Sequence, residues 1–405
     1  MMSVKSRLSS SLSQRSVVRR YHHPDRANTW HAVRFALGAL PVAVLLVPVF
    51  GIRTLFFGQL PVTVLAAESE FGPSMHLMEY IRGRGVGRRE VLFMQSTKRH
   101  KGFDEIYRRE IGKRVFWSHG ILGLLQQAIL LQPKSFIAIT RINPAGANTM
   151  PTWPVKTSLE LQQYRTSLLA RVNSGKHNYV TVAVHTSQYD DETNPRYAVQ
   201  ERSRESIGAD LAPAIDFLVA SGVEVILVGA EDTRISKIPR DIPRLCEFGS
   251  HGGLEEVALA SGCKYFWTDD VGAFWLAVPF KKPIVFSNFS RILIRRGVQP
   301  QGHLVVPIRY QTLSGRLLTF IDLLSTRSPT HKAAAKGELV MIRNSPEEIV
   351  EAHREMLARV NGTWKESAES REHRQRLDAL FSEFDDWSPL TVSAHFLEKH
   401  RYLLD

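Results

Sequence analysis

The chain has 405 residues, 43% hydrophobic and 23% charged, an ordinary globular composition with room for two domains. Its two cysteines, Cys246 and Cys263, exclude a disulfide framework and lack partners at metal-ligand spacing, which fits a reducing cytosol. The net charge is +12, but Met1 to Leu60 alone carries +7, with eight Lys or Arg against the single acid Asp25. That excess sits beside an apolar run without interleaved aromatics, which argues against nucleic acid and for an anionic membrane surface as partner.

The apolar run is FALGALPVAVLLVPVFGI, 18 uncharged residues between Arg34 and Arg53. As a straight helix it reaches about 27 Å, just short of a bilayer core. Pro41 and Pro48 should kink it. An interfacial or re-entrant anchor fits these features best, with a transmembrane helix and a buried core helix as competing readings. The long basic leader and the lack of a small-residue cleavage site oppose a signal peptide.

After Gly58 the pattern turns to alternating strands and helices. LPVTVLAA reads as a strand, ESEFGPSMHLMEYIRGRG as a loop and helix, REVLFMQS as a strand, Phe103 to Ile111 as a helix and RVFWSH as a strand. Gly120 to Leu131 then reads as a helix, and KSFIAITR as a strand or helix end. RINPAGANTMPTWPVKT, with three prolines and no periodicity, is a linker. SLELQQYRTSLLARVN is a helix leading to a second unit. That unit alternates NYVTVAVHTS (strand), Asp210 to Ser221 (helix), VEVILVGAE (strand) and Gly253 to Ser261 (helix). Two short strands, Tyr265 to Thr268 and Pro283 to Ser287, follow and are joined by a predicted crossover helix, with HLVVPIRY after them. Strands alternating with helices of about ten residues predict βαβ units and parallel sheets. From Ser345 the chain turns helical, with serine as N-cap, proline at the first position and acids in the first turn.

Several motifs are missing: a Walker A loop, HExxH, CxxC and the GxSxG elbow. GRGVG, Gly83 to Gly87, follows a helix and precedes a strand, the reverse of the dinucleotide fingerprint, and reads as a connection. Glu68 and Glu70 follow the first strand at its carboxyl end, where a carboxylate can act as general base on an acceptor hydroxyl or simply accept the next helix's N–H groups. His185, Asp190 and Asp191 follow the first strand of the second unit, ahead of Arg196, Arg202 and Arg204. Arginines in a long loop at that edge suit a diphosphate; a solvated mixed-charge loop is the plainer alternative. Asp269, Asp270 and Gly272 stand where a strand meets the next element, as a helix cap with a close-packing glycine or as groups facing a ligand.

Tyr179 to Trp364 resembles a bacterial family of GT-B glycosyltransferases, several expected to build surface glycans. The resemblance rests on FWTDDVGAFWLAVPFKKPIVFSNF, GGLEEVALASGCKYF, SPEEIVEAHREMLARVNGTW and RSRESIGADLAPAIDFLVASGVEVILVGAED, with a weaker echo in LPVTVLAAESEFGPSMHLMEY. In that family a strand ends in Thr-Ser-Ser-Gly and opens a helix; here the stretch is Asp269-Asp270-Val271-Gly272. The family's Arg-Asp pair after the first strand stands here as His185-Thr186. Adjacent carboxylates repel phosphate unless one caps the helix and the other meets a ribose or sugar hydroxyl.

The resemblance implies an α/β fold: a GT-B-like pair of Rossmann-type domains with an N-terminal membrane-associated apolar segment. The segments expected are 1–57 (basic terminus and apolar helix), 58–175 (acceptor side), 176–344 (donor side) and 345–405 (helices packing back across the domains). It also implies a metal-independent glycosyltransferase without cofactor, moving a sugar from a nucleotide-sugar to a lipid-linked or surface-glycan acceptor. Arg202, Arg204 and His185 would face the donor diphosphate, Asp269 or Asp270 with Gly272 the rest of the donor, and Glu68 or Glu70 would be the base. The alternative is a catalytically degenerate protein serving as noncatalytic partner in a glycan-assembly complex. The positive-inside rule would send the units after a spanning helix across the membrane, away from a donor made in the cytoplasm. A monotopic anchor at the cytoplasmic face is therefore expected.

Overall fold

The computed structural model describes residues 26–57, 59–66, 91–95, 115–117, 125, 128–129, 132–133, 137–142, 157–172, 175–184, 207–229, 241–248, 253–269, 272–290, 294–295, 302–325, 333–334, 336–382, 387–388 and 391–405. They fall into two compact units, the first spanning Met1–Arg99 with Ile106–Ala147 and the second spanning His100–Glu105 with Asn148–Asp405.

The first unit opens with helix α1 (Arg26–Phe57), which runs unbroken through Pro41 and Pro48. The two prolines stand seven residues apart, about two turns, so the lost hydrogen bonds fall on one side and the helix continues past both. A sheet follows, of β1 (Leu60–Ala66), β2 (Val91–Gln95), β3 (Val115–Trp117) and β4 (Ile137–Ile142), so KSFIAITR forms a strand. All its pairings are parallel and its order is β3-β2-β1-β4. The chain builds outward from β1 and then returns to β1's other side.

The second unit begins with α2 (Leu159–Val172), which the sequence reading counted with the first domain. It packs on α4 (Leu254–Gly262). Tyr164 Oη donates to Glu255 Oε1 at 2.6 Å, and Arg165 Nη1 donates to Ser261 Oγ at 3.1 Å. The sheet holds β5 (Tyr179–Ala183), β6 (Glu224–Val228), β7 (Phe266–Thr268), β8 (Ile284–Phe289) and β10 (Leu304–Pro307), all parallel, in the order β10-β8-β7-β5-β6. Helix α3 (Gly208–Ala220) crosses from β5 to β6, and α4 from β6 to β7. Val180, Val182, Val225, Ile226, Ile284 and Val285 are fully buried, as both faces of a covered parallel sheet require.

HLVVPIRY breaks at Ile308: its second half, β11 (Arg309–Thr312), leaves the sheet and pairs antiparallel with β12 (Leu339–Ile342). Helix α5 (Phe320–Ser325) lies between them in sequence, and β9 (Ile294–Arg295) pairs antiparallel with β13 (Trp387–Ser388). Helix α6 (Pro346–Val360) starts with a full capping box: Ser345 Oγ accepts from the Glu348 N–H, and Glu348 accepts from the Ser345 N–H. It packs on α3, β8 and β10 and on α8 (Ala394–Lys399). Helix α7 (Ala368–Phe381) also packs on α8.

Candidate functional site

Both sheets reverse direction of growth once, and in parallel α/β sheets ligands bind beyond the carboxyl ends of the two strands that flank such a reversal. In the second unit it lies between β5 and β7, where Ala183 pairs with Thr268. His185 comes two residues after Ala183 in sequence, and Asp269 directly follows Thr268. The order of strands thus brings the ends carrying two separately predicted stretches together. In the first unit the reversal lies between β1 and β4, which end at Ala66 and Ile142.

Asp269 is buried, 1% exposed. Gly272 opens a 3₁₀ turn, Gly272–Leu276, followed by a second, Val278–Phe280. These replace the α-helix expected between β7 and β8. Pro279 has no N–H to continue a helix, and Lys281 in the left-handed region (φ +51°) closes the second turn. What holds the connection is apolar: Trp275, Leu276, Ala277 and Phe280 are buried, and Phe274 stacks on Trp275 at 4.7 Å. With only short turns here, the aligned peptide dipoles expected to face a diphosphate are largely lost, and Gly272 does not start a helix macrodipole.

The neighbouring strand end is held by a pair of asparagines that sequence reading missed. Asn288, at φ +50°, turns the end of β8 in a conformation that asparagine tolerates better than most residues. Its N–H donates to Asn344 Oδ1, the Asn344 N–H donates back to Asn288 Oδ1 at 2.9 Å, and Asn344 Nδ2 donates to Pro307 O at 2.9 Å. Two strand ends are thereby tied to the residue preceding the α6 cap. Thr268 Oγ1 and Asn288 Nδ2 are buried there without a hydrogen-bond partner among the described residues. The only sequence signal was an asparagine just past a buried strand, followed later by Asn-Ser-Pro.

Arg309 was also passed over. It lies two residues past β10, largely buried, with Nη2 3.8 Å from Glu348 Oε1. His400 Nε2 lies 2.7 Å from the same carboxylate and Lys399 Nζ 3.4 Å from it. Burial alone would raise the Glu348 pKa, but the His400 hydrogen bond, the Ser345 N–H and the Arg309 charge prevail and lower it to about 2. Behind β7, His353 Nδ1 and Tyr265 Oη are 2.8 Å apart, and the Trp267 ring meets His353 edge-on at 4.1 Å. Burial lowers His353 to about 3, so its ring is neutral at physiological pH.

Glu68, Glu70, His185, Arg202, Arg204 and Asp270 lie outside the described residues. Among the described residues, no group of three or more His, Cys, Asp or Glu could hold a metal ion.

No protein-family model matches the chain, and no curated protein matches it. Solved structures resemble it loosely. One titled the glycosyl transferase family 9 from Veillonella parvula is 10% identical, with 74% of this chain and 97% of that one covered at a TM-score of 0.44. The ADP-heptose lps heptosyltransferase II of E. coli is 10% identical, covering 68% and 97% at 0.38. The UDP-GlcNAc 2-epimerase of Methanocaldococcus jannaschii is 10% identical, covering 75% and 100% at 0.33. At such low scores these likenesses assign neither fold nor activity.

Proposed function

We propose that the chain is a GT-B-type glycosyltransferase that moves a sugar from a nucleotide-sugar to a lipid-linked or surface-glycan acceptor at the cytoplasmic face of a membrane. The observation that carries this reading is the second unit's reversal between β5 and β7. It joins the strand ends that lead into the Arg202–Arg204 stretch and the Asp269–Gly272 stretch, which the sequence resemblance ties to the donor. A parallel first unit whose own reversal follows β1, the strand leading to Glu68 and Glu70, supports an acceptor-side partner.

In this reading the acceptor hydroxyl gives its proton to Glu68 or Glu70 and attacks the anomeric carbon. The bond from that carbon to the diphosphate oxygen breaks, and a nucleoside diphosphate leaves. Arg202 and Arg204, with His185 earlier in the same connection, stabilise the charge on the departing diphosphate. Because Asp269 is buried, Asp270 takes the contact to a ribose or sugar hydroxyl, and Asp269 holds the turn. Gly272 keeps the connection close to the strand end. No metal or cofactor is given a role. Helix α1 is the membrane anchor.

Replacing Arg204 by Ala should weaken nucleotide-sugar binding by about 1.5–3 kcal/mol, the worth of a charge-assisted hydrogen bond, as measured by calorimetry. Unchanged donor affinity removes Arg204 from the site. The second reading, a noncatalytic member of a glycan-assembly complex, is favoured by one observation: a buried carboxylate, Asp269, where the resembled family carries a hydroxyl. It predicts donor binding without sugar transfer.

A further inference from the structure

Between Ala39 and Phe57, helix α1 carries a single charge, Arg53, and is long and apolar enough to cross a membrane by length and composition. Its neighbours give it a more particular arrangement. Ala39, Ala43 and Phe50 are buried, Val42 and Leu46 are half-buried, and so are Arg53 and Thr54. These positions recur every three to four residues and form one protected strip along about 23 Å of helix. Ala39 and Ala43 pack against Ala128, and Gln132 Nε2 donates to Ala43 O at 2.8 Å. The other sides expose Leu40, Val44, Leu45, Val49, Ile52, Leu55 and Phe56, with Leu55 84% and Leu45 74% exposed. A helix that crossed a bilayer alone would not carry a protected strip of this length.

Two ties fix where the helix lies in the first unit. Its end, Phe57, is three residues from Leu60, the amino end of β1. Ala43, about 21 Å back along the helix, is bonded to Gln132, five residues before the amino end of β4. Both ties therefore run to segments that lead into the adjacent amino ends of β1 and β4, where Leu60 pairs with Ile137. A helix laid back along a sheet face, the usual packing before a strand, would bring Ala43 toward the carboxyl ends instead.

We infer that α1 lies in the plane of the membrane beneath the amino-terminal edge of the first unit's sheet, with its strip on protein and its exposed apolar sides in lipid. The flanking positive charge of Met1 to Leu60 suits an anionic bilayer. With the strands upright on that plane, the carboxyl ends of β1 and β4, seven and six residues long, then stand about 20 Å from the lipid. Resting on the proposed sugar transfer, this names the acceptor class: a glycan already extended by several sugars from its lipid, whose growing end reaches that height. A single sugar on a lipid phosphate cannot reach it.

The test uses the full chain, with Cys246 replaced by Ser, on vesicles of anionic phospholipid containing nitroxide-labelled lipid. F56C, Q59C and Q95C, introduced one at a time with buried Cys263 left in place, carry a fluorophore. Strong quenching at position 56, weaker quenching at 59 and almost none at 95, the carboxyl end of β2, is the expected result. Quenching at 95 equal to that at 59, or none at 56, overturns the arrangement. In parallel, lipid-linked acceptors with one sugar and with a long glycan are compared for sugar transfer. Preference for the long acceptor is expected, and equal or better use of the single-sugar acceptor overturns the acceptor class. Transfer to neither acceptor, with the quenching pattern intact, overturns the acceptor class together with sugar transfer itself and leaves the placement of α1 standing.

Discussion

Helices α1 and α6 are built on opposite principles. Helix α6 follows the rules of a water-soluble protein: a capping box, proline at its first position, acids in its first turn and Arg359 in its last. One side is sealed by Ile349, Ala352, His353 and Met356, while Arg354 on the other lies over the Phe217 ring at 4.7 Å. Its buried carboxylates are answered. Glu355 Oε1 accepts from Arg359, and Oε2 accepts from the Ala394 N–H at 2.8 Å, supplying the cap that α8 lacks from Ser393. Helix α1 has no acid in its first turn, no base in its last, two internal prolines and, between Arg34 and Arg53, 18 residues without a charge. The contrast is one of surroundings: α6 closes over a protein core, whereas α1 packs one strip on protein and leaves apolar side chains exposed on its other sides, the sides proposed to meet lipid.

If so, substitutions in the two helices should fail in different assays. The largest effect on folding is expected from Met356→Ala, about 2–5 kcal/mol of lost stability from an unfilled core site, read by chemical denaturation. Next comes Leu45→Asp, at an exposed position of α1. It should leave the denaturation midpoint unchanged while weakening vesicle binding by roughly tenfold or more, as the loss of one buried leucine implies. A matching loss of stability would mean that α1 is a core helix after all. Ser345→Ala should cost about 0.5–2 kcal/mol through the lost cap, with no effect on vesicle binding.

The difference was half legible in the sequence. Serine, proline and paired glutamates announced α6 and its start, because caps are local chemistry. The apolar length of α1 was equally plain, but its protected strip was not. That strip depends on Ala128 and Gln132, some ninety residues away, and no periodicity in an all-apolar run reveals it. The strands of the second unit were legible for the same reason as α6, as short apolar runs between turn signals. The β7–β8 connection was misread, since GAFWLAVPF has helix-like composition while Pro279 and the left-handed Lys281 cut it into 3₁₀ turns. At the site, the positions of Asp269 and Gly272 relative to the strand ends were readable. The Asn288–Asn344 clamp was not, because its partners are 56 residues apart.

A smaller effect acts on α6 through pH. His353 is buried with its pKa lowered to about 3 from an ordinary 6.5, so the unfolded chain binds its proton first on acidification. Its contribution is present above pH 6.5 and lost as pH falls toward 3. Glu348, lowered to about 2 from 4.5, adds a further loss below pH 4.5. Thermal melts of the wild type should therefore begin to weaken before pH 4.5, and His353→Asn should flatten that first part of the curve. An unchanged slope between pH 6.5 and 4.5 would assign the acid sensitivity elsewhere.

The central claim is sugar transfer from a nucleotide-sugar. Its most direct test is a panel of nucleotide-sugars incubated with the full-length protein on anionic vesicles carrying long glycan acceptors, with free nucleoside diphosphate and acceptor mass followed together. The account predicts that one donor releases its nucleoside diphosphate in step with a one-sugar mass increase of the acceptor. Donor binding with neither product would leave only the noncatalytic reading, and absence of binding to every donor would contradict both.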